Sequence, residues 1–254
     1  MLIDSHAHIN YGDKINTSVV IENMKSDGLE YIVTIGTGVQ ESIDAVSLAN
    51  KNKKIYATVG IHPEHIEELS TQSLLEIEEL AKNDKVVAIG EIGLDYHYEG
   101  YDKQKQAELF ERQLEIAENL DLPVCIHTRD AQEDTYNILL KHADKLKKKG
   151  VMHCFSENEY WAKKFLELGF YISFAGNITF KKSDRSFLKN IPIDKILVET
   201  DCPFLSPEPV RGTINVPSNV KFTAMKIADT LGVDYNAFNE ILVGNTKRLY
   251  FKIK

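Results

Sequence analysis

Two histidines near the start of the chain have a spacing that suits metal binding. His6 and His8 follow the short apolar run Leu2-Ile3 and are separated by Ala7. In an extended strand, side chains two residues apart point to the same side, so both imidazoles could bind one cation. One pair of ligands does not complete a site, so further donors must come from elsewhere in the chain.

Four more residues with metal-binding side chains end apolar runs later in the chain. Glu91, for example, follows the run Val86–Gly90, where a buried carboxylate is costly unless it pairs with a cation. Imidazoles and carboxylates are the ligands of catalytic divalent ions, whose shells keep positions open for water or substrate. The pattern therefore predicts two divalent cations bound by His6, His8, Glu91, His127, His153 and Asp201.

The elements that must position these residues alternate between short apolar runs and amphipathic stretches, which is typical of repeated βα units in a parallel sheet. The clearest helix is predicted over 103–119, where apolar residues recur every three or four positions. Other helices are predicted over 39–50, 70–82, 130–146, 159–168 and 218–231. The predicted strands are 2–5, 31–35, 55–59, 86–91, 123–127, 150–153, 171–174 and 196–200.

Together these elements predict an α/β fold, a TIM-like (β/α)8 barrel that forms a single domain over residues 1–254. The length of 254 residues gives about 32 residues per βα unit, which suits such a barrel. Catalytic residues of this fold lie at the C-terminal ends of the strands, where all the candidate ligands stand, so they should meet at one mouth. A doubly wound open sheet is the competing architecture.

Composition narrows the function further. The chain has no basic leader and no apolar run long enough to span a bilayer, so we expect a cytoplasmic protein without membrane contact. Three widely spaced cysteines argue against a disulfide framework and against a structural zinc knot. The net charge of −8 argues against broad electrostatic binding of nucleic acid, although a metal site can attract a phosphodiester locally. No obligate protein partner is indicated, and we expect a monomer.

Several ordered motifs carry a family resemblance over essentially the whole chain. They are Asp4-Ser5-His6-Ala7-His8, Gly60-Ile61-His62-Pro63, Gly90–Tyr96, Pro123–Arg129, His153-Cys154-Phe155-Ser156, Glu199–Pro203 and Asn245–Leu249. In this order they resemble the TatD family of metal-dependent deoxyribonucleases, within the amidohydrolase-like barrels. The resemblance implies a one- or two-metal site that hydrolyses DNA phosphodiesters, often from the 3′ end.

The resemblance also implies a division of the ligands between two ions. His6, His8 and Asp201 match the ligands of one metal, His127 and His153 match those of the second, and Glu91 matches the bridging carboxylate. Related dihydroorotase- and urease-like barrels have a carboxylated lysine after strand four, where this chain has Glu91. The metals are expected to be Mg²⁺, Mn²⁺ or Zn²⁺, and the expected substrate is single-stranded or damaged DNA cleaved 3′ to 5′.

Other candidate residues surround the predicted ligands. Asp201 is a candidate to accept a proton from the attacking water, with a role as ligand only as the alternative. His62 could hydrogen-bond a phosphate or a leaving oxygen, or it could simply fix the turn before Pro63. The expected phosphate-binding residues at the mouth are Arg129, Arg211, Lys181 and Lys182.

Two departures from the family pattern leave the substrate open. Glu157 stands where the family usually has glycine, and Val216 stands where it usually has an acidic residue before proline. A carboxylate at the mouth could repel DNA. A metal-dependent amide, lactone or ester hydrolase of the same superfamily is therefore one alternative, and a non-catalytic metal-binding partner in DNA repair is another.

Overall fold

Eight parallel strands form the frame of the protein in the computed structural model, which describes residues 1–12, 14–183 and 185–254. Each strand pairs with the next one along the chain, in the order β1 to β8. The predicted strands are all present, with ends that differ by a few residues. The strands are β1 Leu2–Ala7, β2 Leu29–Ile35, β3 Ile55–Val59, β4 Val86–Asp95, β5 Val124–Arg129, β6 Gly150–Met152, β7 Tyr171–Phe174 and β8 Ile196–Val198.

The segment that follows β8 closes the sheet against β1. The backbone N–H of Asp201 donates to the carbonyl of His6 at 3.0 Å, and the N–H of His8 donates to the carbonyl of Cys202 at 2.8 Å. The Asp4 carboxylate strengthens this seam, because it accepts from the backbone N–H and the hydroxyl of Thr200. The result is a nearly closed barrel, which confirms the predicted TIM-like fold over the open sheet.

Helices follow the strands and cover the outside of the barrel. Two were not predicted: the apolar residues of the first stand in one consecutive run, 19–21, without helical spacing, and the last follows the barrel and is capped by Asp234. The predicted helix over 130–146 is shorter than expected, because residues after His142 turn towards β6. The helices are α1 Thr17–Asn23, α2 Val39–Lys51, α3 Thr71–Ala81, α4 Lys103–Leu120, α5 Gln132–His142, α6 Glu159–Glu167, α7 Val220–Leu231 and α8 Tyr235–Leu249. Short 3₁₀ turns lie at Pro63–Glu68, Gly176–Thr179, Ser186–Asn190, Ile193–Lys195 and Pro217–Asn219.

Two apolar cores hold the barrel together. The larger one lies between strands and helices and includes Phe110 and Leu114 of α4. The smaller one fills the barrel interior, where Ile3 and Cys125 pack with Tyr250 of the C-terminal segment. Each fully buried large side chain contributes about 1.5–3 kcal/mol. These interior side chains form the floor beneath the mouth.

Within the described residues, no helix combines the length and the apolarity that crossing a membrane requires.

Candidate metal centre

Glu91 lies at the middle of the barrel mouth, and its two carboxylate oxygens face different groups of side chains. Oε2 lies 3.4 Å from His6 Nε2 and 3.8 Å from His8 Nε2. Oε1 lies 2.8 Å from His153 Nε2 and 3.0 Å from His127 Nδ1. One buried carboxylate therefore links two neighbouring donor groups.

A close approach of β4 and β5 positions this carboxylate. Gly93 has φ +148°, and a Cβ at this position would lie 1.9 Å from the carbonyl oxygen of His127. Only glycine fits this contact, which lets β4 continue past Glu91 and pair with β5 as far as Asp95. The predicted strand ended at Glu91, so this extension could not be read from the apolar run alone.

The first donor group combines β1 with the turn after β8. His8 Nε2 lies 3.3 Å from His6 Nε2 and 3.2 Å from Asp201 Oδ1, and His6 Nε2 lies 3.6 Å from the same oxygen. Tetrahedral ligation at about 2.1 Å separates ligand atoms by about 3.4 Å. With Glu91 Oε2, these atoms have separations and a chemistry that fit one divalent ion.

The second donor group combines β4, β5 and the residue after β6. His127 Nδ1 lies 3.2 Å from His153 Nε2, and both nitrogens lie within 3.0 Å of Glu91 Oε1. The donors are again imidazole nitrogens and one carboxylate oxygen, which suits zinc and other first-row divalent ions. A second ion would therefore find at least three ligand atoms here.

Two further carboxylates orient the histidines of the second group. Asp95 Oδ2 lies 2.9 Å from His127 Nε2, and Glu199 Oε1 lies 3.2 Å from His153 Nδ1. Each imidazole that donates its outer N–H to a carboxylate keeps its inner nitrogen free as a ligand. Glu199 is itself held by the Ser173 hydroxyl at 2.5 Å and by the backbone N–H of Cys154 at 2.6 Å.

The outer ring nitrogen of His62 accepts a hydrogen bond, whereas those of His127 and His153 donate one. Its Nδ1 accepts a hydrogen bond from the backbone N–H of Glu64 at 3.2 Å, so the proton of the neutral ring belongs on Nε2. That nitrogen lies 3.4 Å from Glu91 Oε1. The neutral His62 ring is therefore prepared to donate a hydrogen bond into the cleft, although it stands close enough to belong to a cluster with Glu91 and His127.

The charges of the cluster are strongly coupled. Burial by itself would raise the pKa of Glu91, but the charge of His153 and hydrogen bonds from His127 and His153 hold that pKa well below its usual range. Burial also opposes a charged His153, yet Glu91 and Glu199 raise the pKa of this imidazole well above its usual value. Burial lowers the pKa of His6, and the charge of His153 lowers it further. In the absence of an ion, protons on His153 and its neighbours balance the buried carboxylates.

A cleft of about 490 Å³ opens above the cluster. Among the four predicted phosphate-binding residues, only Arg129 lines this cleft, where its guanidinium lies 5.4 Å from the ring centroid of Tyr98. Arg211 packs over Phe180 at 4.2 Å and lies 3.8 Å from Glu208. Lys182 lines a neighbouring hollow with Glu157, and Lys181 is exposed outside both.

Sequence reasoning overlooked three residues that support the site. Asp95 and Glu199 lie inside the quoted motifs without a predicted role of their own. Cys125 entered only the argument against a disulfide framework and a zinc knot, although its Sγ lies 3.4 Å from His6 Nδ1. The available signal was their spacing from predicted ligands. Cys125 precedes His127 by two residues, Glu199 precedes Asp201 by two, and Asp95 follows Glu91 by four. Contacts between different strands were needed to give those positions a meaning.

Comparisons with known proteins agree with this geometry. The family model described as TatD related DNase matches residues 3–251. The chain is 40% identical to the uncharacterized metal-dependent hydrolase YabD of Bacillus subtilis, over 98% of this chain and 99% of that protein. It is 33% identical to the uncharacterized metal-dependent hydrolase YcfH of Escherichia coli K12, over 98% and 95% respectively. The crystal structure of YjjV, a TatD homolog from E. coli K12, superposes with a TM-score of 0.92 at 28% identity and covers 98% of both chains.

The fold, the donor groups and the relatives together define a metal-dependent hydrolase. Within that class, the chain belongs to the TatD-related DNase family.

Proposed function

We propose that this protein hydrolyses DNA phosphodiesters with two divalent ions, as a 3′ to 5′ exonuclease on single-stranded or damaged DNA. The observation that carries the proposal is the bridging position of Glu91, whose two oxygens face the two donor groups. Paired divalent ions are a common solution for phosphodiester cleavage, since both the attacking and the leaving oxygen can be stabilised. The description of the family, TatD related DNase, supports the same substrate.

In this proposal His6, His8 and Asp201 would hold the first ion, His127 and His153 would hold the second, and Glu91 would contribute a carboxylate oxygen to each. Ions bound there would supply Lewis acidity, which neutralises phosphate charge and makes water a stronger acid. His153 donates a hydrogen bond to Glu199 and His127 donates one to Asp95, and these bonds would fix which nitrogen of each histidine faces the ion.

The remaining steps fall to side chains of the cleft. Burial would raise the pKa of the Asp201 carboxylate, but a hydrogen bond from His8 and the charge of His6 lower this pKa. This carboxylate accepts the proton of the attacking water. His62 Nε2–H donates to a phosphate oxygen or to the departing oxygen, and the guanidinium of Arg129 orients the phosphate at the rim.

Hydrolysis of a smaller ester, lactone or amide is the second candidate. It is favoured by the carboxylates of Glu64 and Glu157, which line the cleft together with Arg129. Negative rim charges disfavour a polyanion and tolerate a neutral substrate.

One assay separates the candidates. Purified protein supplemented with Mg²⁺, Mn²⁺ or Zn²⁺ is given single-stranded DNA labelled at either end, alongside lactones, esters and N-acyl amides. The proposal expects a ladder of products from the 5′-labelled strand, early release of the 3′ label, and loss of both in Glu91→Gln and His127→Ala. Turnover of small substrates without DNA cleavage, abolished by the same variants, would establish the second candidate. If neither substrate class is turned over by metal-loaded protein, the chain is a non-catalytic metal-binding partner.

A further inference from the structure

The two ends of the barrel differ sharply in charge. The segments that enter the strands, together with the C-terminal segment, form a basal face opposite the mouth, and they contain 12 lysines and 5 aspartates. The whole chain has a net charge of −8, so the positive charge of this face is a local feature. The segments counted are 24–28, 52–54, 82–85, 121–123, 143–149, 168–170, 191–195 and 250–254.

A groove of about 500 Å³ lies within this face, similar in volume to the cleft at the mouth. We name it the basal groove and define it by Lys82, Leu120, Asp121, Lys148, Phe251 and Lys252. No part of the mechanism proposed above uses it, because its residues lie at the opposite end of the strands from Glu91.

Phe251 is the central feature of the basal groove. The side chain is 46% exposed, and Lys148 Nζ lies 4.8 Å from the centroid of its ring. Lys252 Nζ is held at the edge of the groove by the carbonyl of Asn83 at 3.2 Å, and Lys82 has a half-exposed side chain that pairs with Glu79. An accessible aromatic ring thus lies beside one ammonium group, in a groove whose lining also includes Lys82, Lys252 and the carboxylate of Asp121.

This combination matches single-stranded nucleic acid. Bases of any type stack on aromatic rings, and lysines placed around the ring bind the phosphates that alternate with the bases. An anionic membrane would be attracted by the same lysines, but stable binding would require a larger inserted apolar surface than one phenylalanine ring. The combination of one exposed ring with cationic side chains therefore favours a nucleic-acid strand.

We propose that the basal groove is a second binding site, which holds a segment of single-stranded DNA away from the metal centre. The choice of DNA over RNA rests on the proposed function. The charge and the exposed ring favour a single-stranded nucleic acid independently of that function. A strand bound here increases the local concentration of DNA around an otherwise acidic protein.

The test measures the binding of a fluorescent 20-nucleotide oligothymidylate by anisotropy, in EDTA so that no cleavage occurs, over a series of salt concentrations. Lys82→Glu/Lys148→Glu should weaken binding at least tenfold and reduce the slope of log affinity against log salt by about 1.4, since each phosphate contact contributes about 0.7. Phe251→Ser should weaken binding with little change in that slope. The control Arg112→Glu/Lys163→Glu makes the same charge change on exposed helix surfaces and should bind like wild type.

The outcomes separate this inference from the proposed function. Hydrolysis of a small chromogenic phosphodiester with metal should be the same in the groove variants and in wild type, which also shows that the variants fold. Absence of oligothymidylate binding by wild type, or equal loss in the control, would overturn the inference even if the enzyme cleaves DNA. Binding to phosphatidylserine vesicles without binding to DNA would overturn it as well. Groove-dependent binding in a protein that cleaves no DNA would leave this inference standing and refute only the proposed function.

Discussion

Cys125 Sγ lies 3.4 Å from Nδ1 of His6, inside the barrel and directly beneath the first donor group. Because Nε2 of His6 faces Glu91 and Asp201, a metal-binding His6 carries its proton on Nδ1 and donates it to the sulfur. A carboxylate or carbonyl usually accepts this hydrogen bond. Here the acceptor is the thiol of Cys125. It is fully buried, and burial raises its pKa well above the usual value.

Removal of this acceptor should weaken the first site. We expect Cys125→Ala to lower metal affinity about 10- to 100-fold, the usual effect of losing a partner of a liganding histidine. Cys125→Ser keeps an acceptor in the same position and should retain most of the affinity. Titration with a chromogenic chelator as competitor measures both constants, and thermal unfolding of the metal-free proteins reports the cavity left by alanine. Equal affinities in the two variants would reduce Cys125 to a packing residue.

Glu199 should matter to the second site through His153. Glu199→Gln keeps the shape of the side chain but removes a charge that raises the pKa of His153, so we expect metal affinity and turnover to fall about 10- to 100-fold. The matched control is Glu118→Gln. Glu118 makes a similar contact, with its Oε1 2.6 Å from His142 Nδ1, and this pair lies away from the cleft. Metal content and kcat are the measurements, and similar losses in both variants would point to a general effect on folding.

Arg129 and Arg211 provide a paired test of phosphate recognition. A hydrogen bond to a charged group contributes about 1.5–3 kcal/mol, so Arg129→Gln should lower kcat/KM on DNA about 10- to 100-fold. Arg211→Gln removes the same charge outside the cleft and should change kcat/KM less than about threefold. Steady-state kinetics on one oligonucleotide compares the two, and a larger effect at Arg211 would mean that the bound strand follows a path over Phe180.

Glu157 should influence the choice of substrate. Its carboxylate lines the cleft, so Glu157→Gln should lower KM for DNA at low salt by a few-fold, and the effect should shrink as salt screens the repulsion. Glu108→Gln on the exposed side of α4 is the control for net charge. An unchanged KM in Glu157→Gln would place the bound DNA away from this carboxylate.

Metal binding should strengthen with pH. Burial lowers the pKa values of His127 and His153, but Asp95 and Glu91 at the first ring, and Glu91 and Glu199 at the second, raise them above the usual imidazole value of about 6.5. Protons on these rings stabilise the metal-free fold at low pH, and this stabilisation is lost as pH rises through the raised pKa values. An ion that binds the same rings must displace these protons. The increase in Tm caused by zinc should therefore grow from pH 6 to pH 8, and calorimetry should detect proton release. A Tm increase that does not vary with pH would contradict this coupling.

The barrel could be predicted from local pattern because each strand is a short apolar run between turn residues. α1 escaped prediction because its apolar residues stand in one consecutive run, 19–21, so no helical spacing marks it. The end of β4 escaped for another reason: residues 92–95 pair with β5 only because Gly93 accepts a backbone contact that no side chain could tolerate. Contacts of this kind involve the partner strand and leave no periodicity in the strand itself.

By itself, the sequence determined the types and the strand-end positions of the candidate ligands, since these depend on spacing along one strand at a time. Only the tertiary structure decided how they meet. It placed the two oxygens of Glu91 against two different donor groups, and it placed Arg129, but not Arg211, in the cleft. It also placed Glu199 behind His153 and Cys125 behind His6. The reason is geometric. Closure of β8 against β1 and the close approach of β4 to β5 join residues that are far apart in the chain, and the distances between them depend on the packing of the whole barrel.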